Sequence, residues 1–472
     1  MKRWLFGIFF LLCLSACKDI SPQQEDRGER AVTESLLSEE EAQVKTEEEP
    51  QKEREAVKVK GIYLTAGTAG TEETMTAMIE NIKQTEINAV VIDVKDDRGR
   101  ITFEMDTPLV QEIGACQVSI SDIEDLMRRL KEANIYTIAR VVAFRDPYLA
   151  EQKPEWSLHD ADGSMHRDAS GLAWVNPYKE EVWDYLVEVG KAAGEAGFDE
   201  VQFDYIRFAT DSSMRTVVFD EADTRGRSKT DVITEFVAYA YEQLADSGVF
   251  VSADVFGTII GSAVDANSVG QIYEDMAEHL DYICPMIYPS HYGEGNFGLD
   301  YPDLHPYETI LGALRNSERV LRAAARGEKS ITEQQEEQAQ SEESSEAEEL
   351  HMDEVQEASL NGRRPHVLAA EIQEEMESKA QFRQAAREET GVEDVQELSW
   401  AKVRPWLQDF TASYLKNYRE YGPEEIREQI QAVYDAGYEE WILWNASNRY
   451  TWEGLEPAAS EEASESEETE NE

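Results

Sequence analysis

Residues 199–208 read DEVQFDYIRF. Val201, Phe203 and Tyr205 alternate as the apolar residues of a core strand do, with Gln202 and Asp204 between them and Arg207 close behind. A carboxylate sunk in a core strand is costly unless it is paired or hydrogen-bonded. One kind of strand makes use of such a residue. In a parallel barrel, one strand face meets the surrounding helices and must be apolar. The other fills the barrel, and its last positions open at the C-terminal mouth, where barrel enzymes work.

The rest of the chain supplies the other strands. VKGIYLTAG from Val59, NAVVIDVKD from Asn88, YTIARVVAF from Tyr136, VFVSADVFG from Val249, DYICPMIYP from Asp281, RPWLQDF from Arg404 and GYEEWILWN from Gly437 are apolar runs of strand length. Amphipathic stretches such as SDIEDLMRRLKEANI and NPYKEEVWDYLVEVGKAAGEAG intervene, the latter with Asn176 as N-cap and Pro177 at the first helical position. Eight alternating units predict an α/β fold, a closed (β/α)8 TIM barrel over residues 57–455. An open doubly wound sheet is the competitor, but GTAGTEE after the first strand lacks the spacing of a phosphate-binding loop. Between strands six and seven the chain carries EQQEEQAQSEESSEAEEL and similar sequence. This predicts a sixth helix followed by a long acidic insertion at about 325–395.

Alternation assigns the faces. Val90, Ile92 and Val94 point to the helices, so Asp93 and Lys95 point inward. Ala139 and Val141 point outward, so Arg140 points in. Val201, Phe203 and Tyr205 point outward, so Gln202 and Asp204 point in. Val251, Ala253 and Val255 leave Ser252 and Asp254 inward. The polar residues therefore gather on one face and towards one end.

Carboxyl groups gathered in this way shift each other's pKa, raising one and leaving another ionised. Glycosidic bond cleavage needs such a pair: one protonates the leaving oxygen, the other attacks the sugar or activates water. Asp204 and Asp254 are the candidate catalytic pair. Competing roles are an ion pair of Asp204 with Arg207 or Arg140, and capping of the next loop by Asp254. Asp93 is expected to support Arg140 or Lys95. Asp96, Asp97 and Arg98 open a turn, and His159 and His166 lie in a loop where solvation is the ordinary state. Sugars bind on aromatic platforms with amides and charges nearby. The candidate substrate-binding residues are Asp93, Arg140, Trp174, Asn176, Gln202, Arg207, Tyr288, His291, Gln408 and Trp444; Tyr292, Trp406 and Asn445 lie in the same strand-end segments.

The termini place the barrel. MKR followed by WLFGIFFLLCL is a basic and then apolar leader, too short to span a bilayer comfortably. LSAC, ending at Cys17, resembles a bacterial lipobox, which implies a signal peptide at 1–16 and lipid on Cys17. An ordinary signal peptide or a short anchor is the alternative. The expectation is an extracytoplasmic protein tethered to a bacterial membrane through an acidic disordered segment, 17–56, with an acidic tail at 456–472. The formal charge of −54 disfavours a nucleic-acid partner. Cys116 and Cys284 are the cysteines left to the mature fold and are expected unpaired. No Cys/His cluster has metal-ligand spacing, and no metal or cofactor is expected. A monomer is expected.

GIYLTAG, VVIDVKDDRG, ARVVAFRDP, WVNPYKEEVWDY, DEVQFDYIRF, SADVFG, PMIYPSHY, RPWLQDF and WILWNASNRYTW, in this order, resemble a bacterial family described as a putative glycosyl hydrolase domain. The resemblance implies a TIM barrel, hydrolysis of a polysaccharide and a catalytic role for Asp204. FATDSS stands where a proline-containing FPTDG-like turn is expected, which leaves the shape of that loop open. The chitinase-like pattern D-x-x-D-x-D-x-E is not met, since its Glu would fall at Ile206. The expected function is a glycoside hydrolase. A non-catalytic glycan-binding or envelope scaffold protein is the alternative, with hydrolysis of an amide or phosphate bond behind it.

Overall fold

A computed structural model describes residues 54, 56–210, 212–327 and 400–458. The leader, Cys17, nearly all of the tether, and most of the acidic insertion and tail lie outside the described residues.

Nine parallel strand segments make one closed sheet. They are β1 (Lys60–Leu64), β2 (Ala89–Lys95), β3 (Tyr136–Val142), β4 (Glu200–Asp204), β5 (Phe250–Phe256), β6 (Tyr282–Met286), β7 (Lys402–Val403), β8 (Trp406–Gln408) and β9 (Trp441–Trp444). Strands β1 to β5 follow one another, β5 pairs with β6, and β9 returns to β1. β7 and β8 are one stave split at Pro405, which has no N–H to give to the ladder. Its carbonyl still accepts from Ile442 N at 3.0 Å. The barrel therefore has eight staves, at the predicted segments.

A helix lies between each pair of successive staves: α1 (Glu72–Ile82), α2 (Ile123–Glu132), α3 (Glu180–Ala196), α4 (Lys229–Leu244), α5 (Tyr273–Ala277), α6 (Pro306–Ala325) and α7 (Pro423–Asp435). α6 ends just before the acidic insertion, as predicted. α3 starts later than expected. Asn176 does not cap it: its Oδ1 accepts from Tyr178 N at 3.1 Å, which closes a turn ahead of the helix.

The two strand faces form separate apolar clusters. Ile62, Val90, Ala139, Val201, Phe203 and Val251 pack outward against the helices. Tyr63, Val91, Ile138, Cys284, Trp406 and Ile442 fill the lumen. The base of the lumen is plugged by charge. Arg404 donates two bonds to Glu200, at 2.8 and 2.9 Å, and one to Glu440 at 2.9 Å. Tyr136 and Ser252 also donate to Glu200. All of these groups are buried, so removing one partner would strand a charge.

Two expected orientations are wrong. The β2–β3 register shifts between Asp93 and Lys95, and this bulge turns Lys95 out of the lumen. Its ammonium pairs with Asp146 at 2.7 Å, both side chains fully buried, and sits 5.9 Å from the Tyr185 ring on α3. The pair fixes the turn at Asp96–Arg100 against the start of the β3 loop. Gly99 (φ +77°) allows this approach, because any Cβ there would collide with the Asp146 carboxylate. Tyr205 is the second case. β4 ends at Asp204, and Tyr205 adopts φ +54°, which swings its ring from the helix side to the mouth. His166, expected in solvent, is buried and bonded to Asp160 at 2.9 Å. Cys116 and Cys284 are unpaired, as expected.

Candidate active site

A cavity of about 360 Å³ opens at the C-terminal ends of the strands. Arg140, Asp204, Asp254, Arg207, Tyr288, His291 and Trp444 line it, together with Asp97, Tyr205, Phe256, Gly257, Thr258, Met286 and Trp406. Its volume lies within the range of small-molecule sites, roughly 300–1,000 Å³.

Asp204 and Asp254 stand on adjacent strands at matching positions. Gln202 pairs with Ser252, and each aspartate lies two residues further along its strand. Their surroundings differ sharply. Asp204 Oδ2 accepts from Arg140 Nε at 2.9 Å and Nη2 at 2.6 Å, and its Oδ1 accepts from Tyr205 N at 2.6 Å. Two of these three bonds come from a cation and are charge-assisted. Among the described residues Asp254 accepts one bond, from Trp406 Nε1 at 2.6 Å. Burial, with the negative charge of Asp204 beside it, pushes the Asp254 carboxyl well above the usual range, and the Trp406 bond only partly offsets this.

Arg140 organises the floor. Besides Asp204 it donates to Asp93 Oδ1 at 2.7 Å and to Asp97 Oδ1 at 3.4 Å. Burial works against its charge, but Asp204, Asp93 and Asp97 hold the guanidinium firmly protonated. Asp93 also accepts from Tyr63 OH at 2.6 Å. Tyr63 stacks on Trp444 with ring centroids 4.2 Å apart, and Trp444 meets Trp406 edge-on at 5.6 Å. Aromatic packing thus ties the support of Asp204 to the support of Asp254.

The rim is aromatic and basic. Arg207 lies 5.2, 4.9 and 4.5 Å from the rings of Trp174, Tyr205 and Phe256. It donates one hydrogen bond, to its neighbour Phe208 O at 2.9 Å, and among the described residues no carboxylate pairs with it. Burial pulls its pKa down. Arg145 donates to the Tyr205 hydroxyl at 3.0 Å, which holds that ring in place. On the other side Tyr288 and His291 pack at 5.2 Å. Burial keeps the Tyr288 phenol protonated and lowers the His291 pKa. Gly257 admits this wall, because a Cβ there would come within 2.7 Å of Met286 O and collide with the Tyr292 hydroxyl.

Five expected contacts do not reach the cavity surface. Trp174 stands behind Arg207, its indole N–H given to Asp168 at 3.0 Å. Asn176 closes its own turn. Gln202 lies deeper in the lumen, donating to Cys284 Sγ at 3.3 Å. Gln408 bonds Ser290, Asp303 and Gln429 and braces the loops. Asp93 also sits behind the surface and acts on it through Arg140. Asp204 engages Arg140 rather than Arg207, and among the described residues no backbone N–H of the following loop donates to Asp254. Alternation, carried two residues beyond Asp254 and Cys284, would have found Phe256 and Met286. Asp97 comes from a turn, where alternation gives no guide. Among the described residues, no group of three or more His, Cys, Asp or Glu side chains is arranged to hold a metal ion.

The sequence matches a family described as a putative glycosyl hydrolase domain over residues 61–353 and 372–450. No curated protein matches it. Among solved structures it is similar to a hypothetical protein from Ruminiclostridium thermocellum: 41% identity, 41% of this chain, 97% of that one, TM-score 0.38. It is also similar to the PgaB (BpsB) glycoside hydrolase domain from Bordetella bronchiseptica: 10% identity, 86% of this chain, 100% of that one, TM-score 0.51. The second likeness is one of fold. With the matched segments spanning most of the sequence, the chain belongs to the family of putative glycosyl hydrolase domains.

Proposed function

We propose that the protein hydrolyses O-glycosyl bonds of a polysaccharide, with Asp254 as general acid and Asp204 as nucleophile or base. One observation carries this reading: two neighbouring carboxyl groups at the mouth have opposite electrostatic settings. Asp204 is bonded to the Arg140 guanidinium, whereas Asp254 meets only a neutral indole donor, and burial and the charge of Asp204 push its carboxyl well above the usual range. That separation gives one group a proton to donate and the other a lone pair to use. Asp254 would protonate the leaving oxygen as the bond to the anomeric carbon breaks. Asp204 would then attack that carbon or take a proton from the attacking water. Trp444, Tyr205 and Tyr288 offer faces to the sugar, and Arg207 offers donors to its oxygens.

The test is a screen of the full-length protein against envelope and extracellular polysaccharides, with mass spectrometry of products. The reading requires a glycan that is cleaved, and cleavage must collapse in both Asp204→Asn and Asp254→Asn. Full activity in both variants would refute it. We further propose that lipid on Cys17 tethers the protein outside the cytoplasm. Metabolic labelling with palmitate should mark the wild type and not Cys17→Ser.

A further inference from the structure

A second cleft of about 310 Å³ lies next to the cavity on the same face. The two share a wall: His291 lines the first, while its neighbours Ser290 and Tyr292 line the second. One side is the loop after β6, with Asp300, Tyr301 and Asp303. The other is the loop after β8, with Leu415, Lys416 and Asn417. The Tyr414 hydroxyl reaches Ser290 Oγ at 3.5 Å, and Asp303 accepts from Gln408 and from Arg419 N, so the two loops are braced together.

Tyr301 lines the cleft, and Tyr414 and Tyr418 flank its Leu415–Asn417 side; all three rings are unusually open. Tyr414 is 69% exposed, Tyr301 44% and Tyr418 40%, in a protein whose other large aromatics are mostly packed away. Packing does not account for them. Exposed rings beside a groove suit a ligand that presents flat C–H faces and many hydroxyls. Glu294, Asp300 and Asp303 line the groove against one cation, Lys416, so an anionic chain would be repelled.

We propose that this cleft is an extended subsite for an uncharged glycan chain, which runs from the catalytic cavity over His291 and stacks on Tyr301 and Tyr414. The proposal rests on the glycosidase reading of the cavity. It makes the substrate an oligo- or polysaccharide rather than the glycoside of a single sugar.

The test uses cello-, chito- and malto-oligosaccharide ladders, from disaccharide to octasaccharide, on the full-length chain. Binding is measured by calorimetry on Asp254→Asn, so that no turnover intervenes, and hydrolysis on the wild-type background. In one ladder, affinity should rise with chain length. Adding Tyr414→Ala or Tyr301→Ala should weaken binding of the long members roughly three- to tenfold and leave the disaccharide unchanged. Both rings lie at the surface, and circular dichroism verifies folding of the variants. The proposal is overturned if the tyrosine variants bind long chains as tightly as the parent, if affinity is flat with length, or if no ladder binds. Hydrolysis with length-independent binding would reject the cleft and leave the hydrolase. Tyrosine-dependent binding of long chains, with no product from any glycan, would do the reverse.

Discussion

Trp406, on the seventh stave, donates its indole N–H across the lumen to Asp254 on the fifth, at 2.6 Å. Arg140, on the third, holds Asp204 on the fourth. The two carboxyl groups are therefore supported from opposite sides of the barrel, one by a neutral donor and the other by a cation. This asymmetry, rather than the presence of two acids, is the basis for proposing different roles for them.

If Asp254 is the acid, its importance depends on the leaving group. Asp254→Asn should lower kcat on a glycan roughly 10²–10⁴-fold. On an aryl glycoside, whose phenolate leaves without help, the loss should be small. Asp204→Asn should be inactive on both. Steady-state kinetics of the two variants on the two substrates decide the matter, and an equal loss for Asp254→Asn on both would remove its acid role.

The pH profile follows from the same geometry. With Asp254 as the acid, activity should fall as pH rises through the folded pKa of that group, which lies well above the carboxylate range. The Trp406 bond favours the ionised form. Trp406→Phe should therefore move the alkaline limb to higher pH while lowering kcat; a limb that stays in place or moves down contradicts this.

Stability has the matching sign. A carboxyl raised on folding contributes stability fully below its unfolded pKa, about 3.9, and the contribution is lost as pH rises through the folded value. Asp254→Asn cannot titrate and should escape that loss. Thermal melts across pH should show the wild type declining towards alkaline pH more steeply than the variant. Parallel curves would mean that Asp254 is not perturbed as described.

These roles were partly legible in the sequence. Where strands are regular and both faces are buried, alternation identifies the lumen residues, and it placed Asp93, Arg140, Asp204 and Asp254 together. It failed where regularity ends. A bulge after Asp93 reverses Lys95, and a left-handed residue reverses Tyr205. Trp174, Asn176 and Gln408 sit beside loops, where each side chain is claimed by a neighbouring backbone or carboxylate that no spacing rule reveals. The unmatched guanidinium of Arg207 could be recognised only once its partners were known.

Arg140 carries the largest structural risk. Arg140→Met leaves Asp93 and Asp204 buried without their cation, which should cost about 3–5 kcal/mol. Adding Asp93→Asn and Asp204→Asn should restore much of the loss, because the stranded charges disappear. Urea unfolding of the single and triple variants measures this, and an equal or larger loss in the triple variant would contradict it.

Arg207 should behave in the opposite way. Its charge is desolvated and meets no carboxylate among the described residues, so folding works against it, although three rings offer cation–π contact. Such a group is tolerated where a ligand supplies what the protein withholds. Arg207→Met keeps the contact with the rings and removes the charge. It should leave the protein as stable as the wild type, or more stable by roughly 0.5–2 kcal/mol, while raising KM for the glycan. If melting temperature and KM were both unchanged, Arg207 would be a bystander. If stability fell by several kcal/mol, the ring cage rather than a ligand would be what retains the charge.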